Sequence, residues 1–348
     1  MQLMMSVIYW DPNPAIFTVP YLNFPIFWYG VCFALGFWIS FPVFVGVLSR
    51  YFRYTQIDSK VDFWTGSKRR KSILEKGASI QQYNPLFNNR FSAAFNPAQK
   101  PTFESIWVYT PGEKSSNFLP IKQKAQSITD RLTVFVVIGT ILGARLGHFL
   151  FYERPADYLN DPLEFFRFRS GGLASHGAVM GIIFSVLFFS YRIKKKYPDL
   201  NWVRLLDFLS VPAPLAGACI RIGNFFNQEI LGIPTTVSWA VFFGHPADGS
   251  EPGLHHPAQL YEAFCYLALF FFFWRLSHKP AFLLAQGRLI GLLLVFVFFF
   301  RFCIEFLKSE QSHLLSSYYL TMGQILSVPI ILAGFVFYNY KRLSIRRD

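Results

Sequence analysis

With 348 residues, 53% hydrophobic, 19% aromatic and only 15% charged, the chain is too apolar for an ordinary water-soluble domain, in which about a quarter of residues are charged. A net charge of +13 would suit a nucleic-acid binder on a soluble surface. Here it follows the loops between apolar runs, so that class is excluded and no nucleic-acid partner is expected. The four cysteines, Cys32, Cys219, Cys265 and Cys303, lie in apolar runs without CxxC or metal-ligand spacing, which points away from a disulfide framework and from a metal site.

Residues 1–25 have no basic residue to start a cleavable signal, the first being Arg50, so this segment is expected to be retained outside the membrane. Apolar runs then predict seven membrane-crossing helices near 26–49, 130–152, 173–192, 205–226, 257–275, 287–307 and 320–340. Many of the 42 phenylalanines fall in these runs, where lipid is a better solvent than water. The fold class predicted is an all-α integral membrane protein. It has about seven transmembrane helices and a small periplasmic head at about 227–256, with the N-terminus outside and the C-terminus cytoplasmic.

Lys and Arg set that orientation. The segments 50–131, 192–204, 275–288 and 341–348 carry 26 of the 33, against four outside, Arg154, Arg167, Arg169 and Lys308. That is the positive-inside bias. Residues 50–129 read as a long basic cytoplasmic insert suited to an anionic membrane surface, residues 130–340 as a six-helix core, and 341–348 as a cytoplasmic tail.

Three arginines, Arg145, Arg221 and Arg301, fall within or at the ends of spans, where a charge costs at least ~2.5 kcal/mol and marks a site by default. Trp28 and Tyr29 open the first span at the outer interface, as anchors or as lipid contacts. In GARLGHFLFY, Arg145 and His148 read equally as ligands for lipid phosphate or as structural support. In RSGGLASHGAVMG, His176 sits among small residues at the outer end of the third span. It can serve there as a general base, the glycines leaving room for substrate.

RIGNFFNQEILG places Arg221, Asn224 and Gln228 on one helical face with Glu229 beside them, while Gly223 and Gly232 permit close approach or a helix break. An arginine fork can hold two phosphate oxygens at once. HHPAQLYE reads as a helix start, with Pro257 in the first turn and Glu262 near the favourable end of the dipole. In RFCIEF, Arg301 and Glu305 are four apart and placed to pair. Three functions remain open on these residues: a lipid-modifying transferase, an anion or lipid channel, and a non-catalytic lipid-binding protein.

Taken in order, WYG (28–30), GARLGHFLFY (143–152), GGLASHG (171–177), RIGNFFNQEILG (221–232), HPAQLYE (256–262), RFCIEF (301–306) and MGQILSVP (322–329) resemble the bacterial prolipoprotein diacylglyceryl transferases over nearly the whole chain. The resemblance implies a multi-pass enzyme of the bacterial inner membrane. Its reaction moves diacylglyceryl from phosphatidylglycerol to the lipobox cysteine of a prolipoprotein signal peptide, releasing glycerol phosphate and needing no cofactor. It further implies His176, Arg221 and Arg301 as catalytic residues. Tyr29, Arg145, Arg221, Asn224, Glu229, Gly232 and Glu305 would bind phosphatidylglycerol, Glu305 by holding Arg301. Two departures stand out: the insert at 51–126 is longer than the family's usual connection, and Val297 stands where the family commonly has a tyrosine.

Overall fold

The computed structural model describes residues 8–21, 23–65, 120–152, 174–309 and 320–340. The body of the basic insert, Arg154, Arg167, Arg169 and the tail at 341–348 lie outside the described residues. Nine helices are described: α1 (Trp28–Thr65), α2 (Ile121–Tyr152), α3 (Ser175–Ile193), α4 (Trp202–Leu209), α5 (Ala213–Phe226), α6 (Ala258–Leu276), α7 (Pro280–Leu283), α8 (Arg288–Glu305) and α9 (Met322–Tyr338).

Every apolar run expected to be helical is helical, but with different limits. α1 continues well past residue 49 and α2 begins before residue 130. Both ends of the basic stretch are therefore helix, held in part by the Tyr51 ring 4.9 Å from Phe208. Three helical stretches, Trp28–Thr55, Ile121–Phe151 and His176–Ile193, are long and apolar enough to cross a bilayer, and α4 with α5 forms an apolar pair of comparable composition bent by 54° at the break between them. Pro212 and Pro214 explain the bend, since neither can continue the hydrogen-bond ladder. The Ser40 hydroxyl of α1 donates to the Pro212 carbonyl at 3.3 Å. Helices α6, α8 and α9 have 19, 18 and 17 residues, and α6 and α8 are interrupted by the charges that build the site. The chain is a multi-pass helical membrane protein on these features.

The all-α expectation needs one correction, because five short strands are present: β1 (Ile8–Trp10), β2 (Ala15–Val19), β3 (Phe24–Phe27), β4 (Val241–Phe243) and β5 (Gly253–His255). β1 runs parallel to β4, β4 pairs antiparallel with β5, and β2 and β3 form an antiparallel pair. Residues 8–10 are thus part of the head. Trp10 fixes them to the bundle: its indole N–H donates to the Phe225 carbonyl at 3.0 Å and its ring stacks on Phe225 at 4.5 Å. Asp11 accepts from His245 at 2.6 Å and from Gln228 at 3.1 Å, bonds that hold its carboxyl below the usual carboxylate range.

Two devices orient the helices. On α2, Gly139, Gly143 and Gly147 face Gly177 and Gly181 of α3 so closely that a Cβ on Gly177 would lie 2.7 Å from the Gly147 Cα. This is the small-residue packing by which membrane helices approach without a hydrophobic driving force. It corrects the reading of Gly177 beside His176, whose space is filled by α2 backbone and not open to substrate; Gly171 and Gly172 lie outside the described residues. At the other device, buried Asp207 of α4 accepts from the Gly287 and Ile290 N–H groups at 2.6 and 2.9 Å. It caps α8, whose far end carries Arg301.

Candidate functional site

Helix α5 stops one turn after Arg221, and the segment that follows is strained: Gln228 and Ile230 hold φ values of 52° and 59°. A β-branched residue there is a genuine outlier, with an expected cost of ~1–3 kcal/mol. The distortion turns Glu229 back over the helix end. Its carboxylate accepts from Asn224 Nδ2 at 2.7 Å and Asn227 Nδ2 at 3.1 Å, and its carbonyl from Gln259 Nε2 at 2.6 Å.

Arg221 is the hub. Its Nε lies 2.7 Å from one oxygen of Glu262, and its Nη1 donates to Asn224 Oδ1 at 3.2 Å. The other Glu262 oxygen lies 2.7 Å from Lys308 Nζ. Glu262 is only 1% exposed and Lys308 9%, so a buried carboxylate bridges a cation on α5 and one in the segment just after α8. A Cβ on Gly217, one turn before Arg221, would lie 3.1 Å from the Tyr266 ring. Tyr266 therefore stacks on the bare face of α5, and its hydroxyl faces Arg221 with the charge of Arg301 also bearing on it.

The expected Arg301–Glu305 pair does not form. Glu305 lies 3.5 Å from Lys308 Nζ and directly over Gly323 in the first turn of α9, where free N–H groups and the helix dipole favour an anion. Among the described residues Arg301 makes no hydrogen bond or ion pair. It is the less committed of the two arginines.

Tyr29 lies against Gly223, 3.1 Å from where its Cβ would be, at the start of α1, and so joins the cluster. Gly232 is a packing position: its N–H donates to the His256 carbonyl at 3.0 Å, its carbonyl accepts from Ser309 Oγ at 2.8 Å, and a Cβ would crowd His256. Arg145 is buried on α2, its guanidinium 4.8 Å from the Phe149 ring centre. His176 is exposed at the start of α3, edge-on to Phe151 at 5.0 Å. The structure does not bring Arg145 or His176 into hydrogen-bond contact with the Arg221 cluster.

Three members of the cluster escaped the sequence reading. In the sequence Glu262 stands at a helix start, Lys308 in a loop, and Tyr266 within an apolar run. A signal for two existed: Glu262 and Tyr266 are four apart, hence on one face of α6. Lys308 offered none, because only folding carries it under the head.

A model of the prolipoprotein diacylglyceryl transferase family matches residues 105–340. The chain is 36% identical to the phosphatidylglycerol–prolipoprotein diacylglyceryl transferase of Protochlamydia amoebophila over 95% of this chain and 94% of the relative. Identity is 34% with the enzyme of the same name from Porphyromonas gingivalis, over 94% and 93%, and 30% with that of Chlamydia pneumoniae, over 99% and 98%. On these matches the chain belongs to the prolipoprotein diacylglyceryl transferase family.

Proposed function

We propose that the protein transfers the diacylglyceryl group of phosphatidylglycerol to the cysteine thiol of a prolipoprotein lipobox, making a thioether and releasing glycerol phosphate. The observation that carries this reading is the partly buried Arg221 fork, aimed by Glu262 and Asn224 and joined through Tyr266 to an uncommitted Arg301. Such a site stabilises a phosphate ester as it leaves.

The sulfur–carbon bond forms as the carbon–oxygen bond to phosphate breaks, and the oxygen takes the electron pair. Arg301 meets the headgroup phosphate, and the remaining Nη donors of Arg221 meet the charge that develops on it. Glu229, held by two asparagine amides, and Tyr29 border the glycerol. Gly232 keeps the chain after Glu229 close to His256 and Ser309. Arg145 supports α2 beside the bound lipid. His176 takes the thiol proton, since a thiolate is the nucleophile. The N-terminus and the head lie on the outer side of a bacterial inner membrane crossed by seven helices, a reading supported by the excess of Lys and Arg in the opposite loops.

Purified protein given phosphatidylglycerol vesicles and a lipobox peptide is expected to raise the peptide mass by one diacylglyceryl group and to release glycerol phosphate. An unmodified peptide would rule out this activity. For the base, His176→Gln is expected to shift the rising limb of the pH–rate profile upward by a unit or more, or to stop turnover. If the profile does not move, the proton goes elsewhere.

A further inference from the structure

Tyr29 and Arg50 lie on α1 about 30 Å apart at helical rise, which is the thickness of the hydrocarbon layer. At the Arg50 end, between α1 and the start of α2, is a cavity of about 380 Å³. Arg50, Arg53 and Lys122 line it, and among the described residues no carboxylate does.

Arg50 is fixed in the wall. Its Nη2 donates to Ser277 Oγ at 2.8 Å, its Nη1 lies 3.2 Å from His278 Nε2, and its guanidinium carbon is 4.6 Å from the Trp274 ring centre. Its Nε is buried without a partner. The Ser49 hydroxyl, on a residue only 7% exposed, lines the same cavity and is also buried without a partner. Buried polar groups left unpaired cost free energy that an incoming acceptor recovers. Arg53 and Lys122 make no hydrogen bond or ion pair among the described residues.

Toward the membrane middle the lining turns apolar, with Phe41, Pro42 and Val45 on one side of α1. Cations at the mouth with apolar side chains below them match a phospholipid: the phosphate at the cations, an acyl chain along the helix. Free phosphate would use only the upper part. We infer that this cavity binds the phosphate of an anionic phospholipid at the membrane face opposite the candidate active site. The basic residues there suit the negative surface of the inner leaflet.

The test uses the purified full chain in detergent and native mass spectrometry, with dioleoyl phosphatidic acid, dioleoyl phosphatidylcholine or inorganic phosphate as probes. Phosphatidic acid presents the phosphate without the glycerol headgroup that the proposed reaction releases. Wild-type protein is expected to keep one more phosphatidic acid than Arg53→Gln/Lys122→Gln. Occupancy of that extra lipid should fall about tenfold or more in the variant, as expected for two lost charge-assisted bonds. Phosphatidylcholine and inorganic phosphate should not separate the two proteins.

Arg53→Lys/Lys122→Arg preserves both charges and should keep the lipid. Arg221→Ala should keep it too, which makes the result independent of the proposed reaction. Equal retention by wild type and the Gln variant overturns the inference, as does an equal difference with phosphatidylcholine. A difference produced by inorganic phosphate overturns the lipid assignment.

Discussion

Arg221→Ala is expected to lower diacylglyceryl transfer by about 10²–10³-fold, the usual loss when one charge-stabilising donor is removed from a reaction site, while the protein still inserts and folds. Folding survives because Glu262 keeps its 2.7 Å partner Lys308. The reverse change is expected to be worse for the fold. Glu262→Gln removes the carboxylate shared by Arg221 and Lys308 and leaves two buried cations facing each other, with an expected cost of ~3–5 kcal/mol. Lys308→Met added to Glu262→Gln should restore part of that stability without restoring transfer. Initial rates and thermal midpoints in one detergent, measured on all three proteins, decide it. Near-normal transfer by Arg221→Ala removes the arginine from the reaction. Equal midpoints for Glu262→Gln and wild type would show that the carboxylate does not hold the two cations together.

The second large effect concerns the α2–α3 contact. A Cβ on Gly143 would run into the Gly177 carbonyl and sit 2.8 Å from the Gly181 Cα, against backbone that cannot rotate away. Gly143→Leu is therefore expected to prevent α2 and α3 from closing, and the protein should be lost from membranes. Gly177→Ala is the milder change, expected to cost ~1–3 kcal/mol as an overpacked contact, read as a lowered thermal midpoint with transfer falling in proportion. Gly30→Ala is the control, since a Cβ there meets nothing within 4 Å, and it should leave the midpoint unchanged or raise it slightly. If Gly177→Ala matches the control, the helices do not touch through these glycines.

Much of the site was legible because its chemistry is concentrated in one stretch. Arg221, Asn224 and Glu229 were picked out as charge and amide in an apolar run, and they are hydrogen-bonded together. The Arg301–Glu305 pairing was also written in the spacing, yet it does not form. Local spacing says which groups can meet, whereas a carboxylate chooses between partners by what folding brings near, here Lys308 and the first turn of α9. Gly177 beside His176 teaches the same lesson, since a missing side chain makes room for whatever packs there, and that was α2.

By itself the sequence determined the solvent, the helical runs and the identity of most charged residues in the cluster, because burying a charge in lipid is costly enough to stand out without coordinates. Tertiary structure alone decided the short strands that tie residues 8–10 to the head, the Glu262 bridge between Arg221 and Lys308, and the approach of Tyr266 across Gly217. Each of these joins residues far apart in the chain, and only packing geometry fixes which distant groups share a buried space.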